Sequence, residues 1–139
     1  MLPMVAFAAS PINGQAGEVV GARGRIGSFL LRAGGGKLAA TPRGLAPGGL
    51  SQPGTPIIVA SPASAIDEVL RATPQERRGD LVLLCNGNAR ERTAAVLGAD
   101  AAAHITAGCI FFGVLQPGAA PTFGDGAPPT ALAGPHAEF

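Results

Sequence analysis

Apolar residues in this chain fall into short runs, separated by stretches in which they recur at helical spacing. Glu18-Val19-Val20 leads into a turn, after which Ile26, Phe29, Leu30 and Ala33 follow the i, i+3, i+4, i+7 pattern of a helix burying one face, ended by Gly34-Gly35-Gly36. Lys37 to Thr41 reads as a second short strand, and Pro42 to Thr55 as a Gly/Pro/Ser-rich loop. Pro56 to Ala60, PIIVA, is β-branched and apolar throughout, as expected of a strand buried on both faces. Ser61 is expected to cap a helix with Pro62 in its first turn and Ile66, Val69 and Leu70 on one face. Thr73-Pro74-Gln75-Glu76 is a capping-box pattern that opens a further short helix.

Leu81 to Cys85, LVLLC, is the clearest strand pattern, and Asn86-Gly87 stops it. A helical stretch from Asn88 to Leu97 follows, with Gly98 as its stop. Ala103 to Leu115 holds another buried strand, centred on Cys109-Ile110-Phe111-Phe112, and the Pro/Gly/Ala-rich tail from Ala119 offers one edge strand at Thr130 to Ala133. Strands alternating with helices predict an α/β fold: a mostly parallel sheet of about five or six strands with helices on both faces. Residues 1–16 are expected to be an N-terminal extension or a targeting remnant, and residues 17–139 a single domain.

The chemistry concentrates in the first turn. Gly21, Gly24 and Gly27 are evenly spaced between the first strand and the first helix. Such a strand-turn-helix asks for glycine three times: where the chain turns tightly, where backbone must approach a pyrophosphate, and where helix packs on strand. Phosphate then rests on free N–H groups at the positive end of the helix. Arg23 and Arg25 place cations where it would lie, and Ile26 belongs to the same cradle. The competing reading is an ordinary glycine-rich turn, since Gly numbers 21 of 139 residues.

Cofactor choice in such a fold is made at the end of the second strand, where an acid grips ribose hydroxyls and a base accepts a 2′-phosphate. Here that stretch is Thr41-Pro42-Arg43-Gly44, with no acid between Glu18 and Asp67. Thr41 and Arg43 are therefore candidate contacts, Arg43 as a bidentate phosphate partner, and NADP is expected over NAD.

Composition narrows the classes without choosing among them. The formal net charge is +1 and 14% of residues are charged, with no basic run, so neither nucleic acid nor a membrane surface is an expected partner. No apolar run reaches the ~18 residues that span a bilayer. The expectation is a soluble protein of the cytoplasm or of an organelle lumen, a plastid included. Cys85 and Cys109 sit in apolar segments without a C-x-x-C pair and read as buried reduced thiols. His104, His136, Cys85 and Cys109 fit no familiar zinc spacing, so no metal is expected. With no tyrosine, the chain cannot hold the Tyr-x-x-x-Lys dyad of short-chain dehydrogenases, and it carries neither a G-x-S-x-G elbow nor a P-loop. His104 is placed at the start of a buried strand and His136 in the tail, neither with an acid partner, so no catalytic residue is assigned.

The stretch PIIVASPASAIDEVLRATPQERRGDLVLLCNG, Pro56 to Gly87, resembles ketopantoate-reductase-like proteins, in which a strand, a helix reading D-x-V-L and a strand ending in Asn-Gly follow one another. CIFFGVLQPGAAPTFGDG, Cys109 to Gly126, is similar to that family's next strand and Pro-Gly turn, and Gly134-Pro135-His136 to the following strand end. The resemblance spans most of Val19 to His136 and implies the NAD(P)-binding Rossmann domain of the 6-phosphogluconate-dehydrogenase-like superfamily. It further implies that Asn86 and Gly87 face the nicotinamide or the substrate, where Asn-Gly otherwise simply makes a turn. Ser61, at the preceding strand end, shares that double reading. Two features depart from the family: one extra residue around Arg23 in the glycine loop, and Lys37 as the only lysine, which leaves its catalytic lysine without a counterpart. The expected role is thus the cofactor-binding portion of an NADP-dependent oxidoreductase, with another chain completing the substrate site. The alternative is a noncatalytic Rossmann-like subunit or nucleotide-responsive module.

Overall fold

The structure, a computed structural model, describes residues 16–84, 88–110, 112–123 and 130–137. It is α/β. In chain order the elements are β1 (Gly17–Val20), α1 (Arg25–Ala33), β2 (Leu38–Ala40), β3 (Ile57–Val59), α2 (Ile66–Ala72), β4 (Leu81–Leu83), α3 (Ala89–Leu97), α4 (Ala99–His104), β5 (Thr106–Ile110), β6 (Phe112–Gly113), β7 (Thr122–Phe123) and β8 (Thr130–Ala133). Single 3₁₀ turns cover Ala63–Ala65 and Gln75–Asp80.

Six strands form one sheet in the order β2-β1-β3-β4-β5-β8. The first five run parallel, and β8 lies antiparallel on β5 with Ala107 opposite Ala133. From β1 the chain crosses to β2 on one side, then returns to β3 on the other side and steps outward through β4 to β5. Right-handed crossovers that travel in opposite directions must lie on opposite faces. Accordingly Leu30 and Leu31 of α1 pack against Val19, Ile58 and Val82, whereas Ile66 and Leu70 of α2 and Ala89 of α3 pack with Ile57, Val59, Leu81, Leu83 and Ile105. Residues alternating along β3 and β4 serve the two cores in turn, so both strands are apolar at every position.

The edge strand expected at Thr130 to Ala133 is β8. Several local expectations are corrected. Pro62, extended at ψ 153°, intervenes between Ser61 and the Ala63–Ala65 turn, which has no side-chain cap, so Ser61 does not cap a helix. Thr73 forms no capping box either: its hydroxyl donates to Val69 O at 2.8 Å, closing α2 behind it rather than opening the next turn. Gly98 ends α3 as expected, but the Ala-rich stretch beyond it, with its strong helix propensity, forms α4. That moves His104 from a strand start to the exposed end of α4; the strand expected within Ala103 to Leu115 is β5, and Phe111, in the middle of its expected centre, lies outside the described residues.

Candidate functional site

The strand order reverses direction between β1 and β3, and the glycine turn sits at that point, on the carboxyl edge of the sheet. Gly21 takes φ +81°, and a Cβ there would lie 2.9 Å from Ser61 N and 3.0 Å from the Ala60 carbonyl. The turn leaving β1 therefore rests directly on the backbone leaving β3. A Cβ on Gly27 would overlap the Gly21 carbonyl, so the first turn of α1 can close on this loop only with glycine there. Gly24 differs from both. It is the residue before α1, with an ordinary extended backbone, and its Cβ would meet only Gly21 O, at a comfortable 3.4 Å.

The N-terminus of α1 carries no side-chain cap and no acid in its first turn. Arg23 and Arg25 flank Gly24 and are exposed, and Ile26 is half-buried. At the other end Arg32 complements the helix dipole, and its guanidinium donates to Gly118 O and Ala119 O at 2.9 and 2.8 Å. The helix thus presents N–H groups and cations at the carboxyl edge of β1 with no carboxylate of its own to occupy them. Between α1 and the sheet a hollow of about 310 Å³ is lined by Leu30, Ile58, Val82, Leu84, Ile110, Leu132 and Ala137.

Structure brings together Gly21, Arg23, Gly24, Arg25, Ile26, Gly27 and the Ser61 backbone. Arg43 lies exposed two residues past Thr41, whose N–H donates to Val19 O at 2.9 Å, which places it on the same edge. The Thr41 hydroxyl points inward instead, donating to Glu18 Oε2 at 2.6 Å. Asn86 and Gly87 lie outside the described residues, as does Cys85. Asn88 is described, and its Oδ1 accepts from Glu91 N at 3.1 Å, capping α3.

The acid-base residues gather elsewhere. Arg77 is buried in the 3₁₀ turn before β4, and each of its five N–H donors has an acceptor: Asp80 Oδ2 at 2.8 Å, Gly48 O at 2.6 Å, Ser51 O at 2.7 Å, Ser51 Oγ at 3.2 Å and Thr55 O at 3.0 Å. Asp80 also accepts from Gly54 N at 3.0 Å, and its Oδ1 lies 3.1 Å from His136 Nε2. His136 N in turn donates to Thr106 Oγ1 at 2.8 Å. Burial alone would raise the Asp80 carboxyl, but bonds from His136, Arg77 and Gly54, with the Arg77 charge, outweigh it and hold the group below its ordinary value. Asp80 and Thr106 stand at the starts of β4 and β5, so this network closes the amino edge of the sheet, whereas open α/β sheets bind ligands at the carboxyl edge.

His136 is therefore buried and has an acid partner, contrary to the expectation of a tail histidine without one. Cys109 is likewise corrected. It is exposed on β5, opposite Ala131 of the edge strand β8. Among the described residues no group of three or more His, Cys, Asp or Glu could hold a metal, and no helix is long and apolar enough to cross a membrane. Comparison of the chain with family models, with curated proteins and with solved structures finds no match.

Proposed function

We propose that this chain binds a dinucleotide across the turn between β1 and α1, with NADP preferred to NAD, and that it is the cofactor-binding portion of an oxidoreductase of Rossmann type. One observation carries the reading. Of the three glycines in the turn, Gly21 and Gly27 are required by the protein's own backbone, while the space before Gly24 is open beside an uncapped helix N-terminus. A ligand phosphate accounts for a glycine that the fold itself does not need. Arg23 and Arg25 add charge there, and Arg43 supplies a cation at the end of β2 where a ribose-gripping acid would otherwise stand. Ser61 contributes through its backbone, which abuts Gly21.

A noncatalytic, nucleotide-responsive module is the second reading. Its support is that His104 and His136 both lie at the amino edge, away from the glycine turn, and that His136 is bonded to Asp80. Titration with NADPH and NADH, followed by nicotinamide fluorescence and thermal shift, tests the binding shared by both readings. A ligand held only by the native state adds about 2.7 kcal/mol at a hundredfold excess over Kd. A shift with NADPH exceeding that with NADH is expected; no shift with either at millimolar concentration refutes dinucleotide binding.

A further inference from the structure

Glu18 is fully buried in the middle of β1, on the face that β1 shares with the α2 core, and among the described residues its bonds come from two hydroxyls and a backbone N–H. Its Oε2 accepts from Thr41 Oγ1 at 2.6 Å. Its Oε1 accepts from Ser51 Oγ at 2.6 Å and from Ser51 N at 3.1 Å. Thr41 and Ser51 are the two ends of the loop 42–50, which carries Arg43. One carboxylate thus staples both ends of that loop to the central strand. A buried carboxylate costs several kcal/mol unless its lone pairs are occupied, so losing any of these three bonds is costly.

Inside the loop, Leu45 N donates to Pro42 O at 3.2 Å, closing a turn with Arg43 and Gly44 at its centre. Arg77 fixes the returning limb through Gly48 O and Ser51 O. The leaving limb, which sets where the Arg43 backbone stands, is held by Thr41 N on Val19 O and by Thr41 Oγ1 on Glu18. Arg43 itself is exposed, so its place relative to the glycine turn is decided by its backbone anchor.

We infer that Glu18 is a positioning residue for nucleotide specificity: by clasping Thr41 and Ser51 it holds Arg43 at the carboxyl edge, where the guanidinium distinguishes a 2′-phosphate from a free ribose. This rests on the dinucleotide reading above. Glu18 touches no ligand and acts only through the loop.

The test compares the parent, Glu18→Ala, Glu18→Gln and Thr41→Val for NADPH and NADH affinity, together with amide hydrogen exchange across residues 42–50. Thr41→Val is nearly isosteric and deletes one donor, so it reports even where Glu18→Ala does not fold. The expected result is a roughly tenfold or greater fall in the NADPH-to-NADH preference in Glu18→Ala and Thr41→Val, with NADH affinity held and exchange in 42–50 accelerated. Glu18→Gln, which keeps an acceptor for Ser51 and can donate to Thr41, restores both. An unchanged preference despite faster exchange overturns the inference, as does an equal loss of both cofactors. If the parent binds both cofactors and the variants behave as parent, only the positioning role falls; if the parent binds neither, the dinucleotide reading falls first and the specificity role with it.

Discussion

His136 Nε2 and Asp80 Oδ1 stand 3.1 Å apart although 56 residues separate them in sequence. The contact ties the segment after β8, the antiparallel edge strand, to the start of β4 in the middle of the sheet. Because Asp80 is also the partner of Arg77, the same carboxylate joins the chain end to the loop that covers β1.

Acid should weaken the fold through this carboxylate. Asp80 is held below its ordinary value of 3.8 in the folded protein. A depressed carboxylate contributes stability that is present above its unfolded pKa and is lost as pH falls through the folded one. Urea midpoints should therefore drop below about pH 4, and Asp80→Asn should flatten that part of the profile while costing about 3 kcal/mol at pH 7 by leaving Arg77 buried without its carboxylate. A profile for Asp80→Asn that parallels the parent's would place the acid sensitivity elsewhere.

Gly24 and Gly27 should respond to substitution in opposite ways. A Cβ at Gly24, the N-cap of α1, meets only ordinary contact within the protein, so Gly24→Val should keep its fold, at a cost of about 1 kcal/mol, while NADPH binding is abolished. Gly27→Ala forces a methyl group into the Gly21 carbonyl and should lower Tm through about 1–3 kcal/mol of overpacking. Circular dichroism melts with and without NADPH separate the two effects. A folded Gly24→Val that binds as the parent does would reduce the loop to a plain turn.

Arg43→Ala should remove about 1.5–3 kcal/mol of NADPH binding and leave NADH nearly unchanged, the range for hydrogen bonds to a charged group. The NADPH loss should shrink as salt rises, because the residue is exposed and an exposed ionic contact is screened. Equal weakening of both cofactors in isothermal titrations would assign Arg43 to holding its loop.

Native protein should be labelled at Cys109 by a thiol reagent without denaturant, since the side chain is exposed on β5. Peptide mapping after brief labelling should find the adduct there and lose it in Cys109→Ser. Modification of Cys109 only after unfolding contradicts the placement.

Much of the framework is legible locally. Ile57-Ile58-Val59 and Leu81-Val82-Leu83 are apolar at every position because both faces of their strands are covered, and that condition is written into each run alone. The α1 turn is legible in part: Gly27 answers to the Gly21 carbonyl a few residues away, whereas Gly21 answers to Ala60 and Ser61 at the neighbouring strand end, which only the fold brings there. Glu18 is a charge inside the run GEVV, and nothing local to that run names the two hydroxyls that meet it.

The sequence by itself determined the alternation of strands and helices and the placing of glycines in the first turn, because backbone preference and hydrophobic period act over a few residues. The tertiary structure alone decided the partners. That Thr41 and Ser51 both meet Glu18, that His136 closes on Asp80, and that Cys109 faces outward beside β8 all depend on strand order, which brings together residues tens of positions apart. Periodicity says which face of a strand is buried, whereas the neighbour across that face is chosen by the total burial and hydrogen bonding of the whole sheet, a sum that no local stretch of sequence contains.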